Sequence, residues 1–490
     1  MSVPVSHVYI ARVVIQFRTP FHIGSGAEGT VTDAEVITDV NGLPSIPGTS
    51  LAGALRSAFG QRFGRDREND LFGCAHLPGK TADRSTDSQD EEVDRGRGSR
   101  LTVSWGCIHD SRGVPVEGIV DVDRLNDPVL ANACSPTLRD HVKIDHRGAS
   151  AGDDRAKFDE LVVCAGHRFT FECMMQGADR DTTGTWTSLL DVLQDASLRL
   201  GGKTRRGLGA FSVVAIDTAE FNLGTKEGLA KFSALPVRLD TPAELAPLDR
   251  NEAKRGLGRL RRLLLQPQEY WMFGGGSDEI ADGGDPDMAP VRDRMIVWDD
   301  GSGSVRENAL YVPGSSVKGA LAHRTAYHYN RLTGFFADEV DDDAFDARVK
   351  DNPAVRELFG FALDDTGPDA KRGSRGRVLI DDIFVDSHEK ITQHLVHHVA
   401  IDRFTGGARS GALFSERPIW RGPGLPITIH LVSPGAISDP DILPAFDAAL
   451  ADLGAARLPL GGGAGRGLGF FRMLEDTGWR EWTQEGGGDA

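Results

Sequence analysis

At 490 residues the chain is longer than one hydrophobic core comfortably supports, so length alone favours two or more domains. With 40% hydrophobic and 26% charged residues, and no apolar run near the roughly 20 residues of a membrane-spanning helix, the composition reads as a globular cytoplasmic protein without membrane partners. The formal net charge of -17 excludes a uniformly basic nucleic-acid binder but not a local one: acids gather in DSQDEEVD, DEIADGGDPD and DEVDDDAFD, whereas basic residues gather near glycine-rich loops. Five cysteines, an odd number confined to the first half, suit a reducing compartment better than a disulfide framework. The N-terminus shows no basic, apolar and small-residue series, so no signal peptide is expected.

In chain order, HVYIARVVIQFR alternates like a half-buried strand. Pro47-Gly48-Thr49-Ser50 predicts a turn and an N-cap before the helix LAGALRSAFGQRF. The strands LTVSWGCI and HRFTFECMM follow, then the helical WTSLLDVLQDASLRL, a glycine loop and the last strand GAFSVVAI. The order βαββαβ is the ferredoxin-like, RRM-like arrangement of an α+β domain. Residues 219–250, with Pro236, Pro242 and Pro247 and no clear periodicity, read as a linker between a first domain at 1–218 and a second at 251–475, with a tail at 476–490.

The chain repeats itself. LPSIPGTSLAGALR returns as LYVPGSSVKGALAHR, LGGKTRRGLGAF as LGGGAGRGLGFF, and HVKID as HVAID, and four weaker matches (HIGSG with MFGGG, TDAEVITD with RDRMIVWD, DLFG with ELFG, GRGSRLTV with GSRGRVLI) keep the same order. GRLRRLLLQPQEY could be a helix by periodicity, but its place in the repeat predicts the first strand of the second domain.

The ordered series HIGSG, a lone aspartate, IPGTSLAGALR, LFG and LGGKTRRGLGAF resembles the RAMP superfamily, and its recurrence resembles a fusion of two RNA-binding backbone (group 7) domains of type III CRISPR effector complexes. The resemblance implies a subunit that binds CRISPR RNA, positions complementary target RNA beside other type III subunits, and acts in antiviral defence. It also implies target cleavage at about six-nucleotide spacing, by an endoribonuclease active only in the assembled complex and dependent on Mg2+ or another divalent cation. It places the cleavage residues at Asp33 and, counting back from Val36-Ile37 and Ile296-Val297, at Asp293. A loop aspartate beside a kinked nucleotide can act as base or hold a cation while a 2′-hydroxyl attacks its own phosphate.

Guide contacts are expected at Lys203, Arg205, Arg206 and Arg466 of the glycine loops, where the backbone can approach a phosphate. They are also expected at Ser50, Arg56, Ser316, Lys318 and Arg324 at the starts of the PG helices, where N–H groups and the helix dipole favour an anion. His22, in HIG, belongs to the same set and corresponds to Met272, while Lys318 corresponds to Ala52. The stretches 143–160 and 400–416 resemble thumb hairpins that wedge into the guide–target duplex, with Lys143, Arg147, Arg155, Arg403 and Arg409 on phosphates. The pairs Cys74-x-His76 and Cys107-x-His109 lack standard zinc-finger spacing, so buried thiols are expected rather than zinc. Two other functions stay open on the residues alone: a non-catalytic guide-RNA scaffold, and a guide-processing RAMP endoribonuclease built on His22.

Overall fold

A computed structural model describes residues 5–26, 35–74, 96–142, 144, 157–181, 183–195, 197–248, 255–274, 286–361, 373–385 and 391–483. The first repeat contributes β1 (His7–Phe17), α1 (Gly48–Phe63), β2 (Leu101–Val103), β3 (Cys107–Ile108), β4 (Thr137–Val142), β5 (Lys157–Val162), β6 (Arg168–Gly177), α2 (Thr185–Leu193) and β7 (Phe211–Asn222). After α3 (Lys226–Ser233), the second repeat contributes β8 (Arg255–Pro267), β9 (Arg292–Asp299), β10 (Ser302–Val312), α4 (Gly314–Leu332), β11 (Val378–Ile380), β12 (Val396–Ile401), β13 (Ala408–Glu416), β14 (Leu425–Val432), α5 (Ile442–Gly454) and β15 (Phe471–Asp476).

The two main sheets have the same antiparallel order: β2, β6, β1, β7 in the first and β11, β14, β8, β15 in the second. Each helix crosses over so that the first and last strands are neighbours, compatible with the ferredoxin-like arrangement. The ambiguous GRLRRLLLQP is therefore a central strand, paired on both sides.

Residues Tyr9, Ala11, Val13, Ile15 and Phe17 point alternately from β1 into one core, under Leu51, Leu55 and Phe59 of α1 and Leu189, Leu190 and Leu193 of α2. The second repeat builds the same layers from Leu263 and Leu265, Val317 and Leu321 of α4, and Phe446, Ala449, Leu450 and Leu453 of α5. Burial of each large side chain contributes about 1.5–3 kcal/mol.

The PG turns have a steric reason. A Cβ on Gly48 would lie 2.3 Å from the Val103 carbonyl oxygen, and one on Gly314 would lie 2.4 Å from that of Ile380, so glycine lets each helix start dock on the second strand. Pro47 and Pro313 take the N-cap positions without a side-chain cap, and Ser50 and Ser316 fall within the first turn rather than capping it.

Part of the stretch expected to be a linker folds back on the first sheet, although most of its residues are exposed. Val8, Ile10 and Phe221 on the outer face of the first sheet are covered by Phe232 of α3 and by Leu235 and Leu245. Arg12 donates to the carbonyls of Pro236 and Thr241 at 2.6 and 2.7 Å. Among the described residues no helix is long and apolar enough to cross a membrane.

Candidate nucleic-acid interface

The glycine loop of the first repeat packs against the start of α4 in the second. Lys318 donates to the Arg205 carbonyl at 2.7 Å, and Arg199 holds Asp381 through contacts of 2.8 and 3.0 Å. Burial, then repulsion from Arg205 and Arg206, pushes the Lys318 pKa down to about 8. Burial, then Arg375 and Arg199, pushes Arg205 down to about 10. Four cations from both repeats, Arg205, Arg206, Lys318 and Arg375, therefore repel one another across a single junction, a field suited to a polyanion. Arg375 lies in GSRGRVLI and was not singled out in the sequence, because the matching segment was read only as a strand.

The thumb segments are β-hairpins, β4 with β5 and β12 with β13. Lys143, Arg147 and Arg155 lie outside the described residues; Arg403 and Arg409 are exposed on the second hairpin, whose tip carries Phe404, 91% exposed. Each hairpin is tied to its glycine loop by a buried glutamate. Glu160 accepts from His141 Nε2 at 2.8 Å and Lys203 Nζ at 2.7 Å, and Glu416 accepts from His398 Nε2 at 2.8 Å and Arg466 at 2.7 Å. Burial works to raise the Glu160 pKa, but hydrogen bonds from His141 and Lys203 outweigh it and hold the carboxyl below its ordinary range. Lys203 and Arg466, expected on phosphates, thus also fasten loop to thumb. Both glutamates close a Phe-x-Glu, Phe158 to Glu160 and Phe414 to Glu416, a pattern that does not reveal their partners.

The loops themselves approach the segment that follows β1 or β8. Gly202 N–H donates to the His22 carbonyl at 2.7 Å and Gly462 N–H to the Met272 carbonyl at 2.8 Å, which makes His22 and Met272 structural counterparts. A Cβ on Gly201 would fall 2.2 Å from the His22 oxygen, and its φ of +89° favours glycine as well. The His22 ring is buried; since a carbonyl only accepts, its Nδ1 carries the proton donated to Leu161 at 2.7 Å. Arg56 is paired with Glu68 at 2.7 Å and Arg324 with Asp452 at 2.5 Å, so both belong to ion pairs on their own repeats.

The backbone pairings give Asp293 a structural counterpart other than Asp33. Ile37 N–H donates to Ile23, and Val291 N–H to Phe273; Thr38 pairs with Pro44, and Arg292 with Leu310. These pairings align Val36-Ile37-Thr38-Asp39 with Pro290-Val291-Arg292-Asp293. The counterpart of Asp293 is Asp39, and counting three residues back from Val36 and Pro290 matches Asp33 with Asp287. Asp33 lies outside the described residues. Asp39 accepts from the N–H groups of Asn41 and Leu43 and closes a tight turn. Asp293, 6% exposed, accepts from Thr137 Oγ1 at 3.0 Å and lies 3.7 Å from Arg139. Asp287 is exposed and sits at the base of the second thumb, where its Oδ2 accepts from Ser415 N–H at 2.7 Å and Ser415 Oγ at 3.1 Å. Those two bonds hold its pKa below the ordinary carboxylate value.

The family model of the RAMP superfamily matches residues 14–212 and 301–472, one stretch in each repeat. The chain belongs to the RAMP superfamily. RAMP membership carries the coarse function, a CRISPR-associated RNA-binding subunit whose partners are CRISPR RNA and other Cas subunits. Among curated proteins nothing matches the chain. Of the metal expectations, His76 lies outside the described residues. His109 is buried 2.6 Å from Thr170 Oγ1, with its pKa pushed down to about 4, chiefly by burial. Among the described residues no group of three or more His, Cys, Asp or Glu is placed to hold a metal ion.

Proposed function

We propose that this RAMP chain is a backbone subunit of a type III effector complex that carries guide RNA across the junction of its repeats and cuts target RNA beside each thumb, through Asp33 and Asp287. The observation that carries the reading is the position of Asp287: an exposed carboxylate bonded to a residue of the thumb strand, one residue before the buried Glu416 that ties that thumb to its glycine loop.

In the cleavage step the 2′-oxygen of the displaced nucleotide attacks the adjacent phosphorus in line. The P–O5′ bond breaks, the 2′-proton goes to a base or solvent, and the 5′-oxygen takes a proton from solvent and leaves as a hydroxyl. The products are a 2′,3′-cyclic phosphate and a 5′-hydroxyl end. Asp287, with its lowered pKa, is a weak base that stays ionised, so it suits orienting the 2′-hydroxyl or holding a cation better than taking the proton outright. One carboxylate per repeat fits a hard divalent ion shared with phosphate oxygens; such an ion would neutralise charge developing at the phosphate.

The guide-binding half is tested by the salt dependence of affinity. The pair of substitutions Lys318→Ala and Arg205→Ala should weaken guide binding at every sequence and reduce the salt slope by about two. An unchanged slope would place the guide elsewhere.

A further inference from the structure

The joint between the repeats is built from features that neither open end of the chain repeats. On the first repeat, Arg139 donates to Asp382 at 2.6 Å, Arg199 and Arg18 reach Asp381, and the carbonyls of Ala165 and Gly166 accept from Ile296 N–H and Trp298 Nε1, each at 2.8 Å. The second repeat supplies the hairpin β9–β10 and the acidic pair.

The equivalent pieces at the ends differ. Where the second repeat has β9–β10, the first has the short turn from Asp39 to Leu43. Gly48 abuts the carbonyls of Val103 and Ser104 as Gly314 abuts those of Ile380 and Asp381, so Ser104-Trp105 stands where Asp381-Asp382 stands. In the second repeat the positions of Arg18, Arg139 and Arg199 hold Gln268, Val396 and Pro459.

On the second repeat's version of the joint face lies an open groove of about 610 Å³, lined among others by Gln268, Glu269, Tyr270, Arg421, Gly467 and Arg472. Gly467 matches Gly207, which lies against Asp382, and Arg421 matches Ala165, which lies against Met295. Arg421 and Arg472 are exposed. The groove thus keeps part of the internal joint's backbone frame, at Gln268, Arg421 and Gly467, with two exposed arginines against the single carboxylate of Glu269.

We propose that this groove is a docking socket for an acidic loop of a different chain of the same fold, and that a second copy of this chain does not occupy it. A second copy offers Ser104-Trp105 and a tight turn, with neither the carboxylates nor the hairpin that the internal joint uses. The arginines favour carboxylates by charge complementarity. The chain therefore occupies one fixed place in its assembly, with unlike neighbours at its two ends. This rests on the assembly proposed above.

Two measurements on the full chain test it. Sedimentation of the purified chain at tens of micromolar should show a monomer; a concentration-dependent series of head-to-tail oligomers that Trp105→Ala abolishes would overturn the proposal. In the purified complex, a photo-crosslinking phenylalanine analogue at Leu474, a lining residue 56% exposed, should trap an Asp- or Glu-bearing peptide of another RAMP chain. The double substitution Arg421→Glu and Arg472→Glu should reduce that product by about ten-fold or more. Capture of the Ser104-Trp105 peptide, or of no protein, would refute it. Recovery of guide RNA in that same complex would leave the functional reading standing while this inference fell.

Discussion

Replacing Arg139 by Met should loosen the joint more than any other single change on it. The side chain is 7% exposed, bonded to Asp382 at 2.6 Å, 3.7 Å from Asp293 and stacked 4.6 Å over the Tyr311 ring. Removing it strands two buried carboxylates on the other repeat, and breaking a buried pair by deleting one partner costs about 3–5 kcal/mol. Asp382 feels this most, since burial already raises its pKa against the pull of Arg139. The companion change Asp382→Asn keeps an acceptor for Gly314 N–H, which Asp382 Oδ1 holds at 2.9 Å, and removes the stranded charge. Arg139→Met with Asp382→Asn should therefore recover a large part of the loss. Guanidinium unfolding followed by tryptophan fluorescence, with Trp298 seated in the joint under Arg168, measures both. A loss under about 1 kcal/mol for Arg139→Met, or a double variant no better than the single one, would show that the pair does not hold the repeats together.

Other outcomes follow from the charged sites. Lys318 is held at about 8 against an ordinary 10.5, so the unfolded chain binds the extra proton between those values and stability should rise with pH through that window. Guide affinity, which needs the charged amine, should fall over the same range, and Lys318→Arg should remove that dependence in filter binding. Glu160 is held below the ordinary carboxylate value, so its contribution is present above the unfolded pKa and lost as pH falls through the folded one; hydrogen exchange in β4 and β5, relative to the intrinsic rate at each pH, should accelerate at acid pH. At neutral pH Glu160→Gln should produce the same acceleration, and protection equal to wild type would mean the thumb is held by its backbone pairing alone. Phe404→Ala, at the tip of the second thumb, should lower the cut beside that thumb without changing guide affinity.

Much of the architecture was legible because local chemistry repeats: the PG turn, the glycine loop and the alternation of β1 recur at matching places, and the sheets obey them. What escaped was set by distant partners or by insertion. Asp293 was matched to Asp33 because Ile296-Val297 resembles Val36-Ile37, yet β9 and β10 lengthen the second copy just there, and only the pairing of Arg292 with Leu310 fixes the register. The segment PDMAPVRD, read against TDAEVITD, carries both aspartates at the same spacing and could have given the match that the backbone pairings support. The stretch after β7 was taken for a linker from its prolines, although Leu229 and Phe232 on α3 have helical spacing and Phe232 finds an uncovered sheet face. The Glu160 and Glu416 clusters join residues dozens of positions apart, and a one-dimensional pattern cannot show which cation each glutamate meets.

The direct test of the account is the product pattern of the assembled complex on end-labelled complementary RNA, with Mg2+ present. Wild type should give two cuts about six nucleotides apart. Asp33→Ala should erase one and Asp287→Ala the other, with guide and target still bound, and Asp293→Asn should leave both. Loss of the second cut with Asp293→Asn but not with Asp287→Ala would contradict the assignment, and unchanged products from the double variant Asp33→Ala with Asp287→Ala would leave a scaffold without cleavage residues at these positions.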